Sequence, residues 1–283
     1  MSSLLVQIRR EFWEHRSLWI APLVVAALLL ASVVLFGRVE FGPADHSASA
    51  RTLLPMLLLG WSAPFYLVAV VLCSLYLLDC LYGERRDRSI LFWKSLPVSD
   101  TSTVLVKFLV GLALVPLGSF LLAAATSLLA SPALLLRARL HLDTGVSLWS
   151  AAYWLRTEGV LLYALLAMLL WYAPYAAYLM LASAWARHLP SAWACLPPLL
   201  LVLFEYLIFR THYVAQALQR GPGELLQLSF RGDAAAGGLG TEILASTPDP
   251  LQLLGSAQLW LGLLTAAALL ALAVRVRRYR DDS

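Results

Sequence analysis

Long runs of apolar residues constrain the fold of this chain more than any other feature of its sequence. Residues 18–36 and 259–274 contain no charged side chain, and similar runs recur along the 283 residues. A chain crossing a bilayer must bond its own backbone N–H and C=O groups, so it forms helices or a closed β-barrel. Barrel strands alternate polar and apolar residues, and these runs do not. The sequence therefore predicts an all-α, polytopic membrane protein.

The overall composition supports this class. Hydrophobic residues make up 60% of the chain and charged residues 13%, whereas a soluble domain has about half and about a quarter. The net charge is +4, but the basic residues flank apolar runs, so we expect membrane topology and not nucleic-acid binding to account for them. The cysteines form no CxxC pair and the histidines no HExxH pair. We therefore expect no metal site, no cofactor and no catalytic residues.

A transmembrane helix needs about 20 predominantly apolar residues. Six segments meet this requirement, and they form one membrane domain over residues 1–283. They are residues 18–36, 54–78, 103–130, 158–183, 192–209 and 256–274.

The first 16 residues predict a separate helix that lies in the membrane interface. Its apolar residues recur at helical spacing, whereas its polar residues face elsewhere. The apolar set is Leu4, Leu5, Ile8 and Phe12, and the polar set is Gln7, Arg10, Glu11 and Glu14. The alternative is a simple cytoplasmic extension of the first span.

Basic residues cluster at both chain ends and in the connection that follows the second span. Short cytoplasmic segments carry an excess of Lys and Arg. We therefore expect a multi-pass protein of the cytoplasmic (inner) membrane with both termini in the cytoplasm. Residues 210–255 then form a long outer loop between the fifth and sixth spans.

The connection between the second and third spans, residues 84–100, carries the most functional information. Its charged part contains Glu84, Arg85, Arg86, Asp87 and Arg88, and its apolar part contains Ile90, Leu91, Phe92 and Trp93. Pro97 ends any helix before it, so a short amphipathic helix over residues 86–95 is expected. Such a helix is either a plain interfacial loop or a docking element for a partner protein.

This connection resembles the cytoplasmic loop of ABC-2 type ABC transporter permeases. The resemblance depends on Glu84-Arg85, Ser89-Ile-Leu, the turn Leu96-Pro-Val-Ser99 and Lys107. The six-span plan is similar too. The resemblance implies an exporter in which the loop is a coupling helix docked on a separate ATPase subunit. The coupling residues would be Glu84, Arg85, Arg86, Arg88, Ile90, Leu91, Phe92 and Trp93.

The family resemblance also implies a second permease half, either identical or related. The chain has no Walker A pattern, so the ATPase is expected on another polypeptide. Many relatives carry a glycine where this chain has Asp87-Arg88, and this departure leaves the cargo open. The alternatives are a non-transporting membrane scaffold and a membrane-embedded enzyme, although no GxSxG or HExxH motif supports the latter.

Glu205 is a further candidate residue, because it lies inside the predicted fifth span. A carboxylate within a membrane often marks a transport pathway, a proton relay or an ion pair. Tyr206, Arg210 or water could also satisfy it by a purely structural contact. Both interpretations, a structural partner and a pathway residue, remain open from the sequence.

Overall fold

The computed structural model describes residues 3–36, 46–87, 99–142, 150–213, 216, 229–231 and 247–279. Within these ranges the chain is almost entirely helical. The helices are α1 (Ser3–Glu14), α2 (Ser17–Phe36), α3 (His46–Asp79), α4 (Tyr82–Arg86), α5 (Asp100–Leu109), α6 (Val115–Leu142), α7 (Ala151–Trp185), α8 (Pro190–Phe209), α9 (Pro250–Gly255) and α10 (Ala257–Tyr279). A π-helical turn, Val110–Leu114, joins α5 to α6. Two short strands, β1 (Phe230–Arg231) and β2 (Thr247–Pro248), pair in antiparallel fashion.

Several of these helices are long and apolar enough to cross a membrane. Among the described residues there are five such stretches: Leu58–Arg86, Asp100–Pro132, Ala151–Trp185, Pro190–Phe209 and Ala257–Tyr279. A sixth is present if Leu5–Glu14 and Ser17–Val33, which meet at a 64° bend, form one broken span. The prediction of an all-α chain with about six apolar helices is confirmed, and the chain has the features of a multi-pass membrane protein.

The long helices form a bundle around α7. The most extensive packing is between α7 and α10, followed by that of α3 and of α2 on α6. The largest core cluster lies where α3, α5, α7 and α10 meet, and Leu77, Val104, Met180 and Ala273 are fully buried there. By contrast, α8 buries little of its surface within the chain.

Glycine is required where α3 contacts the π-helical turn. A Cβ atom at Gly111 would lie 2.8 Å from Cδ2 of Leu77 and 3.1 Å from Cδ1 of Tyr76, which is too close for a side chain. The π-helical turn therefore packs its backbone directly against α3. Such turns are frequent at functional sites, and this one begins three residues after Lys107.

The face of α1 that the sequence marks as polar packs against other helices of the chain. Leu5, assigned to the apolar face, is 57% exposed, whereas Glu11, assigned to the polar face, is only 2% exposed. The reason is tertiary: cations and a hydroxyl from other helices satisfy the Glu11 carboxylate, so this face can pack inward. The exposed Trp13, with the Arg9 guanidinium 5.9 Å from its ring centre, keeps α1 suited to a membrane surface.

Candidate functional site

A buried group of opposite charges lies where α1, α4, α5 and α10 meet. We call it the charge cluster and define it as Glu11, Glu84, Lys107 and Arg277. All four residues are buried. Because an unpaired buried charge is very costly, the contacts within the cluster determine how these four helices can be arranged.

Glu84 occupies the centre of the cluster. Its Oε2 lies 2.6 Å from Nη1 of Arg277, and its Oε1 lies 3.2 Å from Nζ of Lys107. A third cation, Arg10 of α1, places Nη2 2.9 Å from the same Oε1. One carboxylate therefore bonds to residues from three other helices, and such charge-assisted hydrogen bonds are stronger than neutral ones.

Glu11 joins α1 to α3 and α5. Its carboxylate oxygens lie 2.9 and 3.1 Å from Nζ of Lys107. The Tyr76 hydroxyl of α3 donates a hydrogen bond of 2.8 Å to Oε2 of Glu11. Lys107, which is 1% exposed, is thus held between two carboxylates.

Local structure determines where Lys107 lies. The side chain of Ser99 caps α5 by accepting a hydrogen bond of 3.2 Å from the backbone N–H of Ser102. This cap fixes the helix start, as serine often does at this position. Lys107 then falls on the buried face of α5, close to Val104 and Phe108.

The charge cluster also links the two ends of the predicted coupling loop. Arg277 bonds to Glu84, the first residue of this loop. The Nε atom of Arg277 also lies 3.1 Å from Oδ1 of Asp100, the last residue of the loop. The preceding end has a second anchor. Arg85 donates hydrogen bonds of 2.6 and 2.9 Å to the backbone carbonyls of Ser183 and Ala186, at the end of α7. Both ends of the loop are therefore bonded to other spans.

The residues predicted to couple to an ATPase have different surroundings. Glu84 and Arg85 bond within the chain, as described above. Arg86 is exposed and pairs with Asp87 at 3.1 Å. α4 ends at Arg86, and most of the predicted 86–95 helix lies outside the described residues. The same holds for Arg88, Ile90, Leu91, Phe92 and Trp93, so their role stays a prediction.

Glu205 contacts the chain that directly follows its own helix. Its Oε1 accepts hydrogen bonds of 2.8 Å from the Thr211 hydroxyl and 2.6 Å from the Tyr213 backbone N–H. Arg210, which lies between Glu205 and Thr211 in sequence, ends α8 in a left-handed conformation with φ of 53°. These bonds stabilise the end of α8, and a pathway role for Glu205 stays a prediction.

Sequence reasoning did not place the other three members of the charge cluster in one site with Glu84. Glu11, Lys107 and Arg277 lie far apart in sequence, with Glu11 and Arg277 near opposite ends of the chain. A signal was present for Lys107, because a lysine among apolar residues of a span needs a counter-ion. The identity of that counter-ion required the tertiary structure. A fourth missed residue, Glu158, stood at the edge of the predicted 158–183 span, whereas α7 begins at Ala151.

Three potential metal ligands lie beside the cluster. Donor atoms of Glu11, Glu14 and His15 fall within 4.8 Å of one another. However, Lys107 pairs with Glu11, and Arg10 pairs with Glu14 at 2.9 Å. Burial lowers the pKa of His15, whose ring contacts Tyr76 edge-on at 5.0 Å. The carboxylates therefore serve the ion-pair network.

No family model, curated protein or solved structure matches the chain. The function therefore has to be inferred from the geometry of the charge cluster. Its contacts suit it to hold helices in a fixed arrangement, and it joins the two ends of a loop to both terminal helices.

Proposed function

We propose that this chain is the membrane-spanning subunit of an ATP-driven transporter of the ABC-2 type, acting as an exporter. The residues between α4 and α5 would dock on a separate ATPase subunit, and a second permease half would complete the transporter. In the cytoplasmic membrane, both termini and the docking loop would face the cytoplasm. The loop motif, the five or six apolar helices and the absence of a Walker A pattern support this proposal.

The single observation that carries the proposal is the bonding of Glu84 and Asp100 to the same arginine, Arg277. A loop whose ends are independent would absorb a push from a partner by bending. A loop whose two ends share a buried cation on α10 moves together with that helix. Through Lys107 and Arg10, the same push would reach α5 and α1.

In this geometry the predicted coupling residues have two different roles. Glu84 and Arg85 would position the loop through bonds inside the chain. Contact with the ATPase would come from the apolar residues Phe92 and Trp93, with Arg86 and Arg88 at the rim. Rim charges mainly affect association rate and salt dependence, whereas aromatic anchors often carry about 2 kcal/mol or more of binding energy.

The docking test is the double substitution Phe92→Ala with Trp93→Ala. We expect the ATPase to bind about tenfold more weakly or worse, while insertion into the membrane stays normal. Co-purification of the ATPase and stimulated ATP hydrolysis measure the effect. The matched control is Trp13→Ala with Tyr279→Ala, two aromatic residues that are 63% and 81% exposed elsewhere. If the loop variant inserts normally and matches the parent in both assays, the loop is not the coupling element, and the scaffold hypothesis becomes the better one.

A second test separates docking from transmission. Asp100→Ala removes one of the two bonds between Arg277 and the loop ends, while the bond to Glu84 remains. We expect the ATPase to bind normally but transport per ATP hydrolysed to fall several-fold, because one loop end is no longer tied to α10. Asp87→Ala, a matched change at a side chain that is 64% exposed, is the control. Equal transport by both variants would rule out the Arg277 bridge as the transmitting contact.

A further inference from the structure

A second buried carboxylate lies far from the charge cluster. Glu158 of α7 is 6% exposed, and its Oε1 lies 2.8 Å from the hydroxyl oxygen of Ser127 on α6. The indole N–H of Trp154 donates a hydrogen bond of 3.1 Å to that same hydroxyl oxygen. Ser127 follows Lys107 by 20 residues, or about 30 Å of helix. The two sites therefore lie near opposite ends of this span.

No cation of the described chain pairs with Glu158. Its Oε2 is buried and has no hydrogen-bond partner. Among the described residues, the polar groups around it are neutral: Tyr66 from α3, Ser127 from α6, and Trp154 and Thr157 from α7. The Tyr66 hydroxyl is itself buried without a partner, and the Thr157 hydroxyl donates to the backbone carbonyl of Tyr153 at 3.0 Å.

A count of protons shows which form of Glu158 fits this site. The Ser127 hydroxyl has one proton and two acceptors in range, the backbone carbonyl of Ala124 at 2.9 Å and Oε1 of Glu158 at 2.8 Å. If Glu158 is ionised, its full charge receives at most this single hydrogen bond. If Glu158 is protonated, it donates to Ser127, and Ser127 then donates to Ala124. The neutral acid therefore gives the protons of Glu158, Ser127 and Trp154 one acceptor each and avoids a poorly solvated buried charge.

The side of the site that faces the bundle interior offers no water. A cavity of about 270 Å³ lies between α3 and α7, lined by Tyr66 and by Leu161 and Leu165, which follow Glu158 by one and two turns. Its lining is almost entirely apolar, and apolar cavities stay dry. The end of the bundle nearest to Glu158 is the one where α7 begins, seven residues before it.

We propose that Glu158 is a proton-binding site of this protein. In the folded state the carboxylic acid keeps its proton at neutral pH, held between α6 and α7 by Ser127. It exchanges that proton with the solvent at the end of the bundle where α7 begins, when these two helices separate. The proposal is independent of the transporter function, because it depends only on the contacts of Glu158.

The test is infrared spectroscopy of the full chain in lipid vesicles at pH 7. A protonated carboxyl group has a C=O stretching band distinct from that of a carboxylate. We expect such a band in the parent, its loss in Glu158→Gln and its persistence in the control Glu205→Gln. In Ser127→Ala the band should shift to higher frequency, because the acid proton loses its acceptor, and this variant identifies the band even if Glu158→Gln folds poorly. A parent spectrum without the band, or a band that neither Glu158→Gln nor Ser127→Ala alters, would overturn the proposal.

Discussion

Glu84 and Glu158 are the same residue type and are almost equally buried, at 7% and 6% exposure, but their surroundings differ completely. Glu84 contacts Arg277, Lys107 and Arg10, whereas Glu158 contacts one serine hydroxyl. Burial by itself therefore does not tell which state a carboxyl group adopts. The charges around Glu84 favour a permanent carboxylate that ties helices together, and the neutral site of Glu158 favours an acid that holds a proton.

The same substitution at both sites tests this comparison most strongly. Glu84→Gln removes the anion that neutralises Lys107 and Arg277, so both buried cations lose a partner. Breaking a buried ion pair from one side costs about 3–5 kcal/mol. We expect a loss of this size in the free energy of unfolding, measured by detergent-induced unfolding in mixed micelles.

The control for this prediction is Arg86→Ala, two residues further along the same short helix. Arg86 is exposed, pairs with its neighbour Asp87 and lies 5.9 Å from the centre of the Tyr82 ring. Because both contacts are at the surface, the substitution should change the unfolding midpoint little. Equal effects at both positions would mean that the charge cluster contributes little beyond a surface ion pair.

Gly111→Ala tests the packing that supports Lys107. The new methyl group would collide with Leu77 and Tyr76, and forced overpacking typically costs about 1–3 kcal/mol. Gly118→Ala is a matched control within the same long helix, because a Cβ there meets nothing within 4 Å. It should be neutral or stabilise by about 0.5–1 kcal/mol. Unfolding midpoints of the two variants that move in the same direction would contradict the close contact.

Glu158→Gln should have the smallest effect on stability. The amide is neutral and can donate to Ser127 as the protonated acid does, so we expect a change below about 1 kcal/mol in the same unfolding assay. The reverse ranking, with Glu158→Gln more damaging than Glu84→Gln, would mean that Glu158 is ionised and requires its charge.

Much of the fold could be predicted from residue order. The segments 192–209 and 256–274 correspond closely to α8 and α10, because the length of an uninterrupted apolar run is a local property. The boundary of α7 was less accurate: the prediction began at Glu158, whereas the helix begins at Ala151. In a sequence, a polar residue such as Glu158 looks like the end of a span, because the sequence does not show that neighbouring helices bury it.

The candidate site could be predicted only in part. The loop motif directed attention to Glu84 and Lys107, and the resemblance places Glu84 among the coupling residues. Within the chain Glu84 bonds to Arg277, 193 residues away. No local pattern could pair these two residues, because their helices are far apart in sequence and meet only in the folded chain.

The sequence by itself determined that this chain is helical and has several helices long and apolar enough to cross a membrane, because backbone hydrogen bonding and apolar length depend on neighbouring residues alone. Only the tertiary structure decided which charges are buried and with what partners. Glu11 faces inward because Lys107 and Tyr76 meet it there, and Glu158 has no cation beside it within the described residues. The electrostatic cost of a buried charge depends on atoms brought close by folding, and distance along the chain does not encode that proximity.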